Sequence, residues 1–156
     1  DEGRWADYRA VEAQIEQARQ AVLASGDSAN AEGIGIGLQA IRGRAAIARG
    51  EPEEARAILE PLYHESGFPP AAAWLAQIAT DAGRDQEAVG YLETFGPNPW
   101  LGPWLGSLYE KLGERDKALE AYGWTTVAWD RADPVLQPKV AEARSAVSRL
   151  RGLQRG

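Results

Sequence analysis

Cysteine is absent from this chain, and disulfides, thiolate metal ligands and cysteine nucleophiles are absent with it. Methionine is absent too, and the first residue is Asp1. The chain is therefore read as processed or cut from a longer one, with a secreted or cell-surface location favoured over a cytoplasmic one. A basic excess is also lacking. Seventeen Lys and Arg stand against 23 Asp and Glu, for a net charge of −6. That balance argues against nucleic acid as a partner, which calls for a basic footprint. No apolar run approaches the roughly 18 residues of a membrane span, so no membrane insertion is expected. The single histidine, His64, has only Glu60 at helical spacing, and two ligands do not make a metal site. A solvated histidine at a helix end is the expectation. With no nucleophile–base pair either, the expectation is no enzyme, no catalytic residue, no metal and no cofactor.

What is present is helical. Hydrophobic content of 44% and charged content of 26% fit one globular domain over residues 1–156. Gly50, Gly83 and Gly113 lie 33 and 30 residues apart. Each ends an apolar helical pattern, and five residues after each comes an alanine, Ala55, Ala88 or Ala118. Four residues further on stands Leu59, Leu92 or Tyr122. A turn glycine, a small residue for close contact and then a bulky one, at this period, describe a helix–turn–helix repeat.

The spacing predicts repeats over about 31–68, 69–99 and 100–133, flanked by helices over 4–25 and 134–152. In the first helix Trp5, Tyr8, Val11, Ile15, Ala18 and Val22 share the inward face, while Asp7, Arg9, Glu12, Gln14 and Glu16 suit water. In the second, over 31–49, Ile34, Leu38, Ile41 and Ala45 share one. Helices are expected over 100–112 and 114–130 in the third repeat. A closing helix from Pro134 turns Leu136, Val140, Ala143, Val147 and Leu150 inward and leaves a polar outer face, as a terminal cap requires. No period-two alternation is sustained, so no sheet is expected.

Leu105-Gly106, Tyr109, Gly113, Ala118 and Tyr122 resemble a tetratricopeptide (TPR) repeat of bacterial type. The second repeat keeps Leu75, Ala76, Gly83, Ala88 and Leu92, and the first keeps Gly43, Ala46, Gly50, Ala55 and Leu59. The stretch from Leu105 to Leu150, with its Asp133-Pro134 joint, also resembles the terminal repeat of many bacterial multidomain regulators. The resemblance implies an all-α fold, a right-handed α-solenoid of about three helix pairs with an extra N-terminal helix and a C-terminal capping helix. It implies a groove that takes a protein or peptide, and no activity. The groove would be lined by Gly37, Ala40, Arg44 and Ile47, then Ala73, Gln77 and Thr80, then Trp100, Ser107 and Glu110. Only Arg44 among them matches the basic clamp with which some members grip an acidic C-terminus.

Several motifs carry competing readings. Gly33-Ile34-Gly35-Ile36-Gly37 resembles a phosphate-cradling loop, but no strand precedes it. Close approach of two helices is the favoured reading. Glu51, Glu53 and Glu54 complement a helix N-terminus. Trp124 and Val127 fall on the outer, convex side of their helix, away from Ala118, Tyr122, Thr125 and Trp129. They form either an interaction patch or a surface that the closing helix covers. Trp104 is assigned to packing, and Trp100 is a candidate contact residue. The candidate protein-interaction residues are thus Trp124, Val127, Trp100, Arg44, Gln77, Ser107 and Glu110. The first functional reading is a self-assembling scaffold, a homo-oligomer, filament or tube. The alternative is a monomeric adaptor or sensor module that binds a peptide in its groove.

Overall fold

A computed structural model of the chain describes residues 2–152, with side chains from Trp5 onward. Among these residues stand eight α-helices, one 3-10 turn and no strand. The helices are α1 (Glu2–Ala24), α2 (Ser28–Arg49), α3 (Pro52–His64), α4 (Pro69–Asp81), α5 (Asp85–Glu93), α6 (Gly102–Lys111), α7 (Arg115–Ala128) and α8 (Gln137–Gly152). The 3-10 turn is Pro134–Leu136. The chain divides into two compact units, residues 1–74 and 75–156.

In the first unit, α2 starts where the Asp27 carboxylate accepts the Asn30 N–H at 3.2 Å. It ends at Gly50, which adopts a left-handed conformation with φ of 76°. There the Gly50 N–H donates to the Ile47 carbonyl and the Glu51 N–H to the Ala46 carbonyl, each at 3.0 Å. This pair of bonds satisfies carbonyls that the helix end would leave open. Pro52 then opens α3, where its missing N–H costs nothing. The two helices meet at Gly43. A Cβ there would lie 2.5 Å from Leu59 Cδ2, so the bare backbone is what seats the fully buried Leu59.

The second unit repeats this construction twice. Gly83 and Gly113 have φ of 70° and 74°. The N–H after each glycine, of Arg84 or Glu114, reaches back 2.8 Å to the carbonyl of Ala79 or Tyr109. Ala76 and Leu92 share one buried cluster across α4 and α5. Gly106 faces the Tyr122 ring, where a Cβ would lie 2.8 Å away. Gly43 to Leu59, Ala76 to Leu92 and Gly106 to Tyr122 are each sixteen positions apart. Three hairpins therefore share one turn and one packing rule. Finally, α8 packs on α7 through the buried Val140, Ala143, Ala146 and Leu150. The Arg115 guanidinium donates to the Leu150 carbonyl and ties down the end of α8 (Nε–O 3.0 Å).

The structure corrects several expectations. On α1, Val11 is 51% exposed and Ala18 is exposed, while Glu12 and Glu16 are half-buried. The inward face is charged because Arg42 of α2 waits for Glu12 at 2.6 Å. Ile41 is 39% exposed, and the buried face of α2 runs instead through Leu38, Ala45, Ala46 and Gly43. Ala40, expected in the groove, is buried as well. Gly33 and Gly37 do not mediate close helix contact, since nothing lies within 4 Å of a Cβ at either. Gly35 meets only Arg19 Cδ, at 3.6 Å. Helix α6 begins at Gly102, which leaves Trp100 in the preceding turn. The closing segment starts as a 3-10 turn because Asp133 caps it through the Val135 N–H at 2.9 Å.

The packing rule yields a stability test. Gly106→Ala pushes a methyl into the Tyr122 ring and is expected to lower stability by about 1–2 kcal/mol, although alanine favours the helix. Gly90 sits mid-helix in α5, exposed and with nothing within 4 Å, so Gly90→Ala is expected to add up to about 1 kcal/mol. Urea unfolding of the two variants checks the opposite signs.

Candidate functional site

An open groove of the second unit lies between α7 and α8. Leu119, Gly123 and Val127 recur every four residues along α7 and form one wall. Arg144, Val147, Ser148 and Arg151 of α8 form the other, and the groove holds about 450 Å³. Gly123 leaves a notch in its middle, because nothing lies within 4 Å of where its Cβ would stand. Val127 is 81% exposed, the most exposed of the large apolar side chains among the described residues. Arg144 pairs with Asp130 at 2.5 Å, while Arg151 has no ion-pair partner among the described residues.

The structure separates Trp124 from Val127. Trp124 is half-buried and packs against the core cluster of the second unit, so it is not an open patch. Trp100 is 59% exposed and meets Trp129 edge to face, with ring centroids 4.4 Å apart. Lys139 Nζ stands 5.3 Å from the Trp100 ring. Trp104 is half-buried and its indole N–H donates to Thr80 Oγ1 at 3.3 Å.

Polar candidates are largely occupied within their own unit. Glu110 accepts from the Tyr122 hydroxyl at 2.8 Å and from Arg149 Nη2 at 2.9 Å. The Arg149 guanidinium, with help from the Tyr122 hydroxyl, holds the Glu110 carboxyl below the ordinary carboxylate range. Burial first, and then Glu110, raises the Tyr122 phenol. Ser107 donates to the Trp104 carbonyl at 2.8 Å, and Gln77 donates to Asp81 at 2.8 Å. Arg44 is exposed and lies over the Trp74 ring at 5.5 Å. The structure thus brings together Glu110, Tyr122 and Arg149 across α6, α7 and α8, and it does not gather the seven sequence candidates into one site.

A second depression, of about 550 Å³, lies in the first unit among α1, α2 and α3. Its cations are engaged, Arg42 by Glu12 at 2.6 Å and Arg19 by Glu16 at 2.8 Å. Arg19 pulls the Glu16 carboxyl down to about 2. Among the described residues no group of three His, Cys, Asp or Glu is placed to hold a metal ion, and no helix is long and apolar enough to cross a membrane. The groove residues Leu119, Gly123 and Arg151 are ones that sequence reasoning missed. The four-residue step Leu119–Gly123–Val127 was the available signal.

No protein-family model matches the chain, and no curated protein matches it as a relative.

The Glu110 network sets a pH dependence. A carboxylate with a depressed folded pKa stabilises the fold above its unfolded pKa, about 4.3, and loses that contribution as pH falls toward the folded value. Glu110→Gln keeps an acceptor for Tyr122 and loses the charge that Arg149 meets. Arg149 is half-exposed, so the expected cost at pH 7 is about 0.5–1 kcal/mol. Denaturant unfolding at pH 7 and pH 3 should show that gap narrowing in acid.

Proposed function

We propose that the chain is a TPR-like α-solenoid and a non-catalytic scaffold for protein–protein interaction, which assembles with copies of itself. The observation that carries this reading is an exposed apolar groove between α7 and α8, presented by a chain of repeated helix hairpins. Hairpins built on one rule present flat helical faces at their ends, and such faces stack on like faces. An exposed valine beside an open notch loses water-contact cost only when another surface covers it. His64, exposed at the end of α3, and the engaged carboxylates offer no acid–base pair around which to build a reaction.

The adaptor reading draws support from the cleft of about 550 Å³ in the first unit. Its weakness is electrostatic. A peptide that sought Arg19 or Arg42 would have to displace carboxylates already within 2.8 Å and 2.6 Å.

Light scattering coupled to size-exclusion chromatography over a wide concentration series tests the proposal. Self-assembly is expected to raise the apparent mass above the 16.9 kDa of one chain as concentration rises. A constant 16.9 kDa throughout would remove self-assembly and leave the adaptor reading.

A further inference from the structure

Helix α1 is held differently from the other helices. Each of the other seven described helices buries three or more residues, whereas no described side chain of α1 is buried. Its inward side chains, Trp5, Tyr8, Glu12, Ile15, Arg19 and Val22, are all half-buried. Within its unit α1 packs on α2 and not on α3. That contact leans on charge. Glu12 meets Arg42 at 2.6 Å, and the Arg49 guanidinium stands 5.6 Å from the Trp5 ring. Arg19 lays its methylene stem beside Gly35. The α2–α3 hairpin, in contrast, has an apolar seat of its own, with Leu59 fully buried against Gly43.

The link from α1 to α2 suits a hinge. It consists of Ser25, Gly26 and Asp27, and Gly26 has φ of 86°. Asp27 caps α2 with its carboxylate, and its carbonyl accepts the Ala31 N–H at 3.1 Å. Neither bond involves α1. The Asp27 N–H does reach back into α1, to the Val22 carbonyl, but at 3.3 Å. Rotation at Gly26 releases that long bond and leaves the start of α2 intact. We propose that α1 is a strap, latched to α2 by the Glu12–Arg42 ion pair, which opens about Gly26 as one unit while the α2–α3 hairpin stays folded. The strap goes beyond the self-assembly reading and does not depend on it.

Opening changes what the first unit can hold. Glu16 and Arg19 of α1 form one wall of the cleft of about 550 Å³, and α2 and α3 supply the rest. A closed strap makes that cleft. An open one dismantles it and frees Arg42 for another carboxylate. The latch responds to salt. The Arg42 and Glu12 side chains are 37% and 23% exposed, so water and ions reach the pair, and added salt weakens their attraction. The buried apolar contacts between α2 and α3 carry no charge for salt to screen. A helix parted from its packing partner keeps little of its stability in water, so opening exposes the α1 amides to exchange.

Hydrogen exchange on the whole chain, read by mass spectrometry of overlapping fragments at pH 7, tests the strap. Amides from Tyr8 to Val22 are expected to share one opening rate, at least about tenfold faster than the buried stretches of α2 and α3. Raising sodium chloride from about 50 mM to about 500 mM is expected to speed α1 about two- to fivefold relative to α2 and α3. Glu12→Gln keeps the shape of the side chain and removes its charge. It is expected to give the same acceleration at low salt and to abolish the response to salt. Three results overturn the proposal. If α1 is protected as strongly as α2 and α3, it has no opening of its own. If its rates fall off steadily from the Glu2 end, the helix frays and is not a strap. If fast, uniform exchange ignores both salt and Glu12→Gln, the ion pair is not the latch.

Discussion

The spacing between the two helices of a hairpin depends on a side chain that is missing. At Gly43 and Gly106 the backbone of the first helix touches the bulky residue sixteen positions later, Leu59 or Tyr122. A Cβ at either place would overlap it at 2.5–2.8 Å. Ala76 and Leu92 hold the matching positions of the second hairpin within one buried cluster, and alanine is the smallest side chain that still forms a helix well. Close spacing explains why alanine dominates the buried set, as at Ala46, Ala55, Ala79, Ala88, Ala118 and Ala121. Large residues there would force the helices apart and expose the leucines between them.

The same constraint fixes the turns. Helices this close and antiparallel need a reversal of very few residues. The left-handed glycine provides it while its neighbours' N–H groups satisfy the last carbonyls. With the turn settled, the polar network has a place to form. The Tyr122 ring that fills the space beside Gly106 carries its hydroxyl to Glu110, and Glu110 in turn holds Arg149 of α8. One small residue on α6 thereby positions a chain of contacts that reaches the closing helix. Tyr109 adds a parallel link, with its hydroxyl donating to Glu93 of α5 at 2.5 Å.

Much of this was legible in the sequence because it depends on local chemistry. The three glycines and the alanine five residues after each reported the hairpins, and the structure bears out an all-helical chain. The helix faces were less legible where charge decided them. Periodicity placed Val11 and Ala18 inside because apolar residues are assumed to seek the core, but a half-buried ion pair between Glu12 and Arg42 turned α1 the other way. No rule of spacing sees a partner thirty positions away. Trp124 was undecidable for a related reason: its burial depends on how α8 lies across α7, which no single-helix pattern contains. The groove was missed because Gly123 matters through an absence, and the eye follows tryptophans before gaps.

Helix α8 serves two physical roles that pull in different directions. It buries Val140, Ala143, Ala146 and Leu150 and turns Lys139, Glu142, Arg144 and Arg149 outward to water. A helix that did only this would seal the edge it shares with α7. Instead that edge stays open over Leu119, Gly123 and Val127, and cations of α8 stand around it. Filling the notch would be simple, since an alanine at Gly123 meets nothing and favours the helix. Gly123 shares this openness with Gly90 of α5, so the gap in the α7 wall follows from the missing Cβ itself and lowers the helix propensity of α7 by about 1 kcal/mol.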